Sequence, residues 1–247
     1  MGSAVQLVGL YKAFNSLQVL NGVDLGIEEG ELLTILGGSG TGKSVLLKLI
    51  VGLLKPDAGQ ILIDGEDIVP LSEDELLKVR QKVGMVFQGA ALFDSLTVKE
   101  NVAFPLREHT VMTEAAIRDR VAEVLALVGM AGTEEKYPVE LSGGMRKRVG
   151  LARAISLTPR IVLYDEPTTG LDPRNVDKIN DLISDLQAKL RVASVVVTHD
   201  LHSAFRISDR VALLSEGRVA ATGSPMEIGK MEDRVVQEFL AGHIGEV

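Results

Sequence analysis

Gly37-Gly38-Ser39-Gly40-Thr41-Gly42-Lys43-Ser44 constrains this chain more than any other stretch. It matches G-x-x-x-x-G-K-[ST] in the setting that gives the pattern meaning: the apolar strand Glu31–Leu36 leads in and the apolar helix Ser44–Leu54 leads out. The glycines let the backbone turn its N–H groups onto phosphate oxygens. Lys43 is then the residue for the β- and γ-phosphates, and Ser44 the hydroxyl for Mg2+. A strand running through such a loop into a buried helix is the start of an α/β fold with a parallel core.

The rest of the chain fits that frame. Its 247 residues allow one large α/β domain or a core with a subdomain, and 46% hydrophobic residues supply a sizeable core. The net charge of −8 argues against a nucleic-acid partner or an anionic membrane surface, yet leaves a locally built phosphate site open. With no cysteine there is no disulfide framework or thiol chemistry, which fits a reducing cytoplasm. Met1-Gly2-Ser3-Ala4 lacks the charged and apolar regions of a signal peptide, and Ser44–Leu54 is too short to span a bilayer and carries Lys48. A soluble protein is expected, with any membrane part supplied by a partner.

Strands are expected at Val5–Leu10, Gln18–Ile27, Gln60–Ile63, Met85–Phe87, Ile161–Tyr164 and Ser194–Thr198, with a hairpin of Arg210–Leu214 and Arg218–Ala221 around Glu216-Gly217. Helices are expected at Glu73–Gln81 behind Ser72, from Thr113 to about Val128, from Ser142 to about Ser156, and from about Arg174 to Leu190. Strand signals fade from Gly89 to about Thr158, and the tail from Pro225 reads as helical. The order gives a single domain over 5–240. Its core is 5–89 with 159–223, a helical subdomain covers about 90–158, and a short tail covers 224–247.

Ile161–Glu166 is an apolar strand ending in two acids, at the sheet edge where open α/β sheets bind ligands. Asp165 would hold Mg2+ directly or through water, and Glu166 would take a proton from the attacking water or orient it. His199, after Ser194–Thr198, reaches the same edge. Leu141-Ser142-Gly143-Gly144-Met145 opens a helix with a hydroxyl and backbone N–H groups suited to an anion, although the chain already has one phosphate loop.

That segment resembles the signature motif of the ATP-binding-cassette (ABC) ATPases, and the other motifs fall in that family's order from about residue 5 to 223. The resemblance implies a P-loop NTPase of ABC ATPase fold with a parallel-core sheet, an antiparallel β subdomain and a helical subdomain. It implies two ATP, each with Mg2+, sandwiched in a head-to-tail homodimer between the Lys43 loop of one chain and Ser142, Gly143 and Gly144 of the other. Gln88 resembles the Q-loop glutamine, which touches Mg2+ or the attacking water. His199 resembles the switch histidine at the γ-phosphate. Phe14 resembles the aromatic that stacks on adenine, with Tyr11 as a competitor. Asp172 resembles the residue that contacts the opposite subunit, and it also reads as a helix cap before Pro173. Arg146-Lys147-Arg148 reads as a solvated helix face, with some side chains open to a membrane partner.

Phe104–Thr110 together with Met145 resembles the ATPase subunit of the Mla/Mce (maintenance of lipid asymmetry) phospholipid transporters, as does Asp233–Leu240. By itself Pro105 reads as a helix-start residue. That resemblance implies a membrane permease, an MCE-domain protein and, in some members, a STAS-domain subunit, with the ATPase on the cytoplasmic face of the inner membrane. Other cargo (an amino acid or a lipoprotein), a non-transport ABC protein and a non-hydrolysing nucleotide sensor are the competing readings.

Overall fold

Five successive buried residues, Leu32–Leu36, make β3 a strand covered on both faces, as the middle of a parallel sheet requires. A computed structural model describes residues 2–243, and the tail positions 244–247 lie outside the described residues. It sets β3 between β8 (Ala193–Thr198) and β9 (Arg210–Ser215), both parallel to it. β7 (Ile161–Asp165) and β6 (Val83–Val86) continue the parallel core beyond β8, and β10 (Arg218–Gly223) closes the other edge antiparallel to β9. A second, antiparallel sheet pairs β1 (Ser3–Phe14) with β2 (Leu17–Glu28) and with β4 (Ala58–Ile63), which carries the short β5 (Glu66–Asp67).

Two apolar layers flank the parallel sheet. On one face α1 (Lys43–Ile50) is packed between the two sheets, with Leu46, Leu47, Leu49 and Ile50 fully buried. On the other lie α3 (Val98–His109), α4 (Glu114–Leu127), α5 (Gly143–Ile155) and α6 (Pro173–Leu190). A smaller cluster sits under α7 (Leu201–Ile207), α8 (Pro225–Lys230) and α9 (Arg234–His243). Among the described residues no helix is long and apolar enough to cross a membrane.

Local chemistry sets most helix starts. Ser72 and Glu75 form a reciprocal capping box for α2 (Glu73–Gln81), as do Thr97 and Glu100 for α3 and Ser224 and Glu227 for α8. Two expectations need correcting. The helix over Ser44–Leu54 stops at Ile50, because Gly52 turns left-handed (φ +67°) with Leu76 packed against it. Pro105 does not start a helix; it lies inside α3, which the Thr97–Glu100 box has already begun. Proline leaves the Asn101 carbonyl without its helical donor.

Tyr164 is fully buried at the centre of the core, and its hydroxyl, facing Ser194, makes no well-formed hydrogen bond. Burial pushes its pKa up. A buried hydroxyl without a good partner contributes nothing, so Tyr164→Phe should leave stability within about 0.5 kcal/mol of the parent or raise it. Thermal and urea unfolding measure this; a loss above about 2 kcal/mol would mean the hydroxyl is well satisfied.

Candidate functional site

The carboxyl edge of the parallel sheet gathers the residues singled out by the sequence. β3 delivers the loop 37–42, β6 delivers Gln88, β7 delivers Asp165 and Glu166, and β8 delivers His199. All of these but Asp165 help to border one open cleft of about 620 Å3 lined by Gly38, Ser39, Gly40, Gly42, Lys43, Ser44, Gln88, Glu166 and His199, with Phe14, Val19 and Val45 as its apolar wall.

Two glycines of the loop are demanded by its own geometry. Gly42, the N-cap of α1, has φ +101°, and a Cβ there would meet Val19 Cγ1 at 2.9 Å. A Cβ on Gly37 would meet the Leu214 carbonyl at 2.6 Å. Thr41 Oγ1 ties the loop to itself by donating to the Gly38 carbonyl at 3.0 Å. Lys43 curls back over the loop, and its Nζ donates to the Gly37 and Gly38 carbonyls at 2.7 and 2.9 Å and lies 3.8 Å from Glu166 Oε1. Burial lowers the Lys43 pKa, and the carboxylates of Glu166 and Asp165 oppose that.

Ser44 Oγ donates to Asp165 Oδ1 at 2.8 Å, which joins a hydroxyl of the cleft wall to a carboxylate beside it. Among the described residues no group of three or more His, Cys, Asp or Glu gathers into a metal cage. Hard oxygen donors this few suit Mg2+, which keeps several waters and takes its remaining ligands from substrate phosphates. Glu166 is the most constrained side chain of the site. Its backbone is left-handed (φ +46°), an uncommon conformation for a non-glycine residue. Oε2 accepts from Thr169 Oγ1 at 3.1 Å and from Thr198 Oγ1 at 3.2 Å, while Oε1 is 3.0 Å from His199 Nδ1.

Phe14 ends β1 at the cleft, 40% exposed, with Lys12 Nζ 5.4 Å from its ring centre. Tyr11 packs instead towards Gly22, where an added Cβ would meet its hydroxyl at 2.9 Å.

Ser142, Gly143, Gly144 and Asp172 are not part of this cleft's wall. Ser142 caps α5, accepting from the Met145 amide at 3.3 Å, and is itself exposed. Asp172 caps α6, accepting from the Asn175 amide and side chain at 3.2 and 2.6 Å; the Asn175 side chain, then its backbone, holds the carboxyl below its ordinary pKa. The two helix starts adjoin: Gly143 faces Leu171 and Gly144 faces Asn175. Behind His199, a polar seam joins α6 to α7, with Asn180 Nδ2 donating to Ser203 Oγ at 2.8 Å and Ser203 Oγ donating to Asp200.

The solvated reading of Arg146-Lys147-Arg148 is wrong for Lys147, which is buried and donates to the Gln88 and Glu166 carbonyls, and for Arg148, which donates to the Val128 carbonyl at 2.9 Å. Only Arg146 is exposed. Thr169 and Thr198 also bear on the site, although no motif singles them out. The one available signal was their placement in Glu166-Pro167-Thr168-Thr169 and just before His199.

A family pattern described as "ABC transporter" matches residues 20–169. The chain is 46% identical to a protein of Mycobacterium leprae named a probable ribonucleotide transport ATP-binding protein, over 98% of this chain and 70% of that one. It is 42% identical to a Haemophilus influenzae protein named the ATP-binding protein of an intermembrane phospholipid transport system, over 91% of this chain and 85% of that one. It is also 42% identical to a methionine import ATP-binding protein of Geobacillus kaustophilus, over 90% of this chain and 65% of that one. Among solved structures, a dimeric bacterial ABC transporter cassette superposes with a TM-score of 0.83 at 36% identity, covering 90% of this chain and 98% of that one. A dimeric post-hydrolysis state of the cassette, bound to ADP and Pi, superposes with a TM-score of 0.81 at the same identity and coverage.

Proposed function

The chain belongs to the ABC transporter family as an ATP-binding subunit that hydrolyses ATP, and on that premise we propose that it drives phospholipid transport through a separate membrane permease. The observation that carries the chemistry is the meeting of Lys43, the Ser44–Asp165 pair and the Glu166–His199 pair at one edge of the parallel sheet.

In this reading the amides of the 37–44 loop and Lys43 hold the β- and γ-phosphates. Lys43 exchanges its two loop carbonyls for phosphate oxygens, a stronger, charge-assisted pairing. Ser44, Asp165 and Gln88 would hold Mg2+, which when bound neutralises charge building on the phosphates. Glu166 orients the attacking water or takes its proton, fixed in place by the Thr169 and Thr198 hydroxyls. His199 spans Glu166 and the γ-phosphate. Ser142, Gly143 and Gly144 cap that phosphate from the other chain of a homodimer, with Asp172 at the same seam. The chemistry is in-line transfer of the γ-phosphoryl to water, and closing and reopening of the dimer is the mechanical output. Segment 90–158 is the arm that would move against the core made of 5–89 and 159–223.

Phe14 supplies the adenine face. Base–aromatic stacking is worth about 1–3 kcal/mol, so Phe14→Ala should raise KM for ATP about tenfold while kcat stays near its parent value. Steady-state ATPase titration reads this, and an unchanged KM would return the role to Tyr11 or to Val19.

For the cargo, support comes from the resemblance of Phe104–Thr110 and Ser142–Met145 to phospholipid-transport ATPases and from the long alignment with the Haemophilus protein. Ribonucleotide and methionine transport, the cargoes in the other relatives' names, are the rivals. Affinity purification from membrane extracts, with the proteins and lipids identified, separates them. A permease accompanied by an MCE-domain protein and bound phospholipid is expected, with or without a STAS-domain subunit, the ATPase being peripheral on the cytoplasmic face. A permease that brings neither MCE protein nor lipid would sink the phospholipid reading.

A further inference from the structure

The hairpin of β1 and β2 outruns the sheet it belongs to. β4 follows β1 only as far as Tyr11, whose register partner is Ala58, while the pairing of β1 with β2 continues to Phe14 and Leu17. Lys12, Ala13 and Phe14 have no register partner on the β4 side among the described residues. A two-stranded ribbon is only marginally stable by itself, yet this one ends in the ring that lines the cleft.

Asp57, the residue before β4, fills that gap. Its amide donates to the Tyr11 carbonyl at 2.9 Å. Its carboxylate then stands where a further stretch of strand would lie: Oδ2 accepts from the Ala13 amide at 2.6 Å and Oδ1 from Lys12 Nζ at 2.8 Å. The bond from Lys12, then that from Ala13, holds the Asp57 carboxyl below its ordinary pKa. Lys12 Nζ in turn lies over the Phe14 ring, 5.4 Å from its centre, within range of a cation–π contact. One carboxylate thus grips both residues that precede Phe14, and through the ammonium it reaches the ring itself.

We propose that Asp57 is a positioning residue for nucleotide binding, its carboxylate fixing the end of β1 and the Lys12 ammonium so that the Phe14 ring is already set for adenine. The inference rests on the reading of Phe14 as the residue that stacks on the base. A ring whose backbone and one of whose faces are held before the nucleotide arrives loses little freedom on binding. A ring on a loose ribbon end must be ordered at every binding event, and affinity falls by that cost. Asp57 is not part of the cleft wall. It acts through Lys12 and Ala13, so its effect falls on affinity and leaves the chemical step alone. All of these groups belong to the antiparallel sheet and the turn before β4, so the grip holds while segment 90–158 moves.

The test is steady-state ATPase titration of the permease-bound complex with Asp57→Ala, Phe14→Ala, the double variant and Asp24→Ala. Asp57→Ala should raise KM for ATP about fivefold, short of the about tenfold expected for Phe14→Ala, with kcat within about twofold of the parent. Its melting temperature should stay within about 3 °C of the parent, since an exposed ion pair adds little stability. In the Phe14→Ala background the same substitution should change KM by less than about twofold, because the ring it acts through is gone. Asp24→Ala controls for a loosened strand. Asp24 Oδ1 accepts from the Gly9 amide of the same β1 at 2.7 Å, five positions before Phe14, and its loss should leave KM at the parent value. A parent-like KM in Asp57→Ala, with KM raised in Phe14→Ala, overturns the positioning role alone. So does a full rise of about fivefold on top of Phe14→Ala. An equal rise in Asp24→Ala, or a kcat that falls with the melting temperature, also overturns it, by marking a merely structural residue. A parent-like KM in Phe14→Ala overturns the adenine reading instead, and the positioning role falls with it.

Discussion

Glu166→Gln should bind ATP as the parent does and turn it over about a thousandfold more slowly, the middle of the range for removing a general base. The substitution is nearly isosteric, and the site can absorb it. Thr169 and Thr198 meet Oε2 through hydroxyls that can rotate to accept from an amide instead of donating to a carboxylate. His199 Nδ1, 3.0 Å from Oε1, still faces an amide atom with which it can pair. What is lost is the charge. The attacking water no longer has a group to take its proton, and Lys43 keeps only Asp165 as a carboxylate opposing the effect of its burial. In the proposed mechanism binding groups and bond-breaking groups thus sit on different elements: the loop before α1 and Phe14 would hold the nucleotide, while the ends of β7 and β8 would act on it. The expected pattern is therefore unchanged nucleotide affinity, a collapsed kcat, and an ATP-bound closed dimer that accumulates in the permease complex. Steady-state ATPase assays with nucleotide-binding titrations read the first two, and size-exclusion chromatography of the complex with and without ATP reads the third. A rate within about threefold of the parent would remove Glu166 from the chemistry.

What the sequence disclosed and what it hid divide along the range of the interactions. The Gly37–Ser44 loop, the caps at Ser72, Thr113, Ser142 and Asp172, and the turn at Glu216-Gly217 are local chemistry, complete within a few residues, and each is legible without the rest of the chain. The placement of β3 between β8 and β9 is not. It brings together residues about 160 to 180 positions apart in the chain, and periodicity says only that each run is buried. The apolar run 51–54 reads as more helix because hydrophobicity alone does not distinguish a helix from a turn packed under Leu76. Lys147 is hidden for a related reason. A basic residue between two others looks solvated unless the approach of α5 to the loop after Gln88 is known, and that approach is close at Gly150, where an added Cβ would lie 3.3 Å from the Ala90 Cβ. Pro105 carried a start signal that a stronger one, the Thr97–Glu100 box, had pre-empted.

Gly144→Ala should separate fold from function. Gly42 needs to be glycine for its own chain's sake, with φ +101° and Val19 in the way. Gly144 does not: its φ is not in the left-handed region, and an added Cβ would meet Asn175 Cγ at an ordinary 3.6 Å. In the first turn of α5, alanine should add up to about 0.5–1 kcal/mol of stability, by reducing the freedom of the unfolded chain. A glycine that nothing inside the chain requires is best explained by something outside it, and in the proposed dimer that is the partner's γ-phosphate approaching the backbone. The melting temperature of Gly144→Ala should hold or rise while ATPase activity falls about tenfold or more, and Gly144→Asp should fall further by setting a carboxylate against phosphate. A mixing experiment makes the logic stringent. Lys43→Ala spoils a chain's own phosphate loop, and Gly144→Asp spoils the cap that the chain offers its partner. If the cap acts across the dimer, a mixed dimer places both lesions in one site and leaves the other whole, so co-expressed variants regain activity that neither has alone. If each chain caps its own nucleotide, every site keeps one lesion and the mixture stays as inactive as its parts, which would end the trans assignment of Ser142–Gly144.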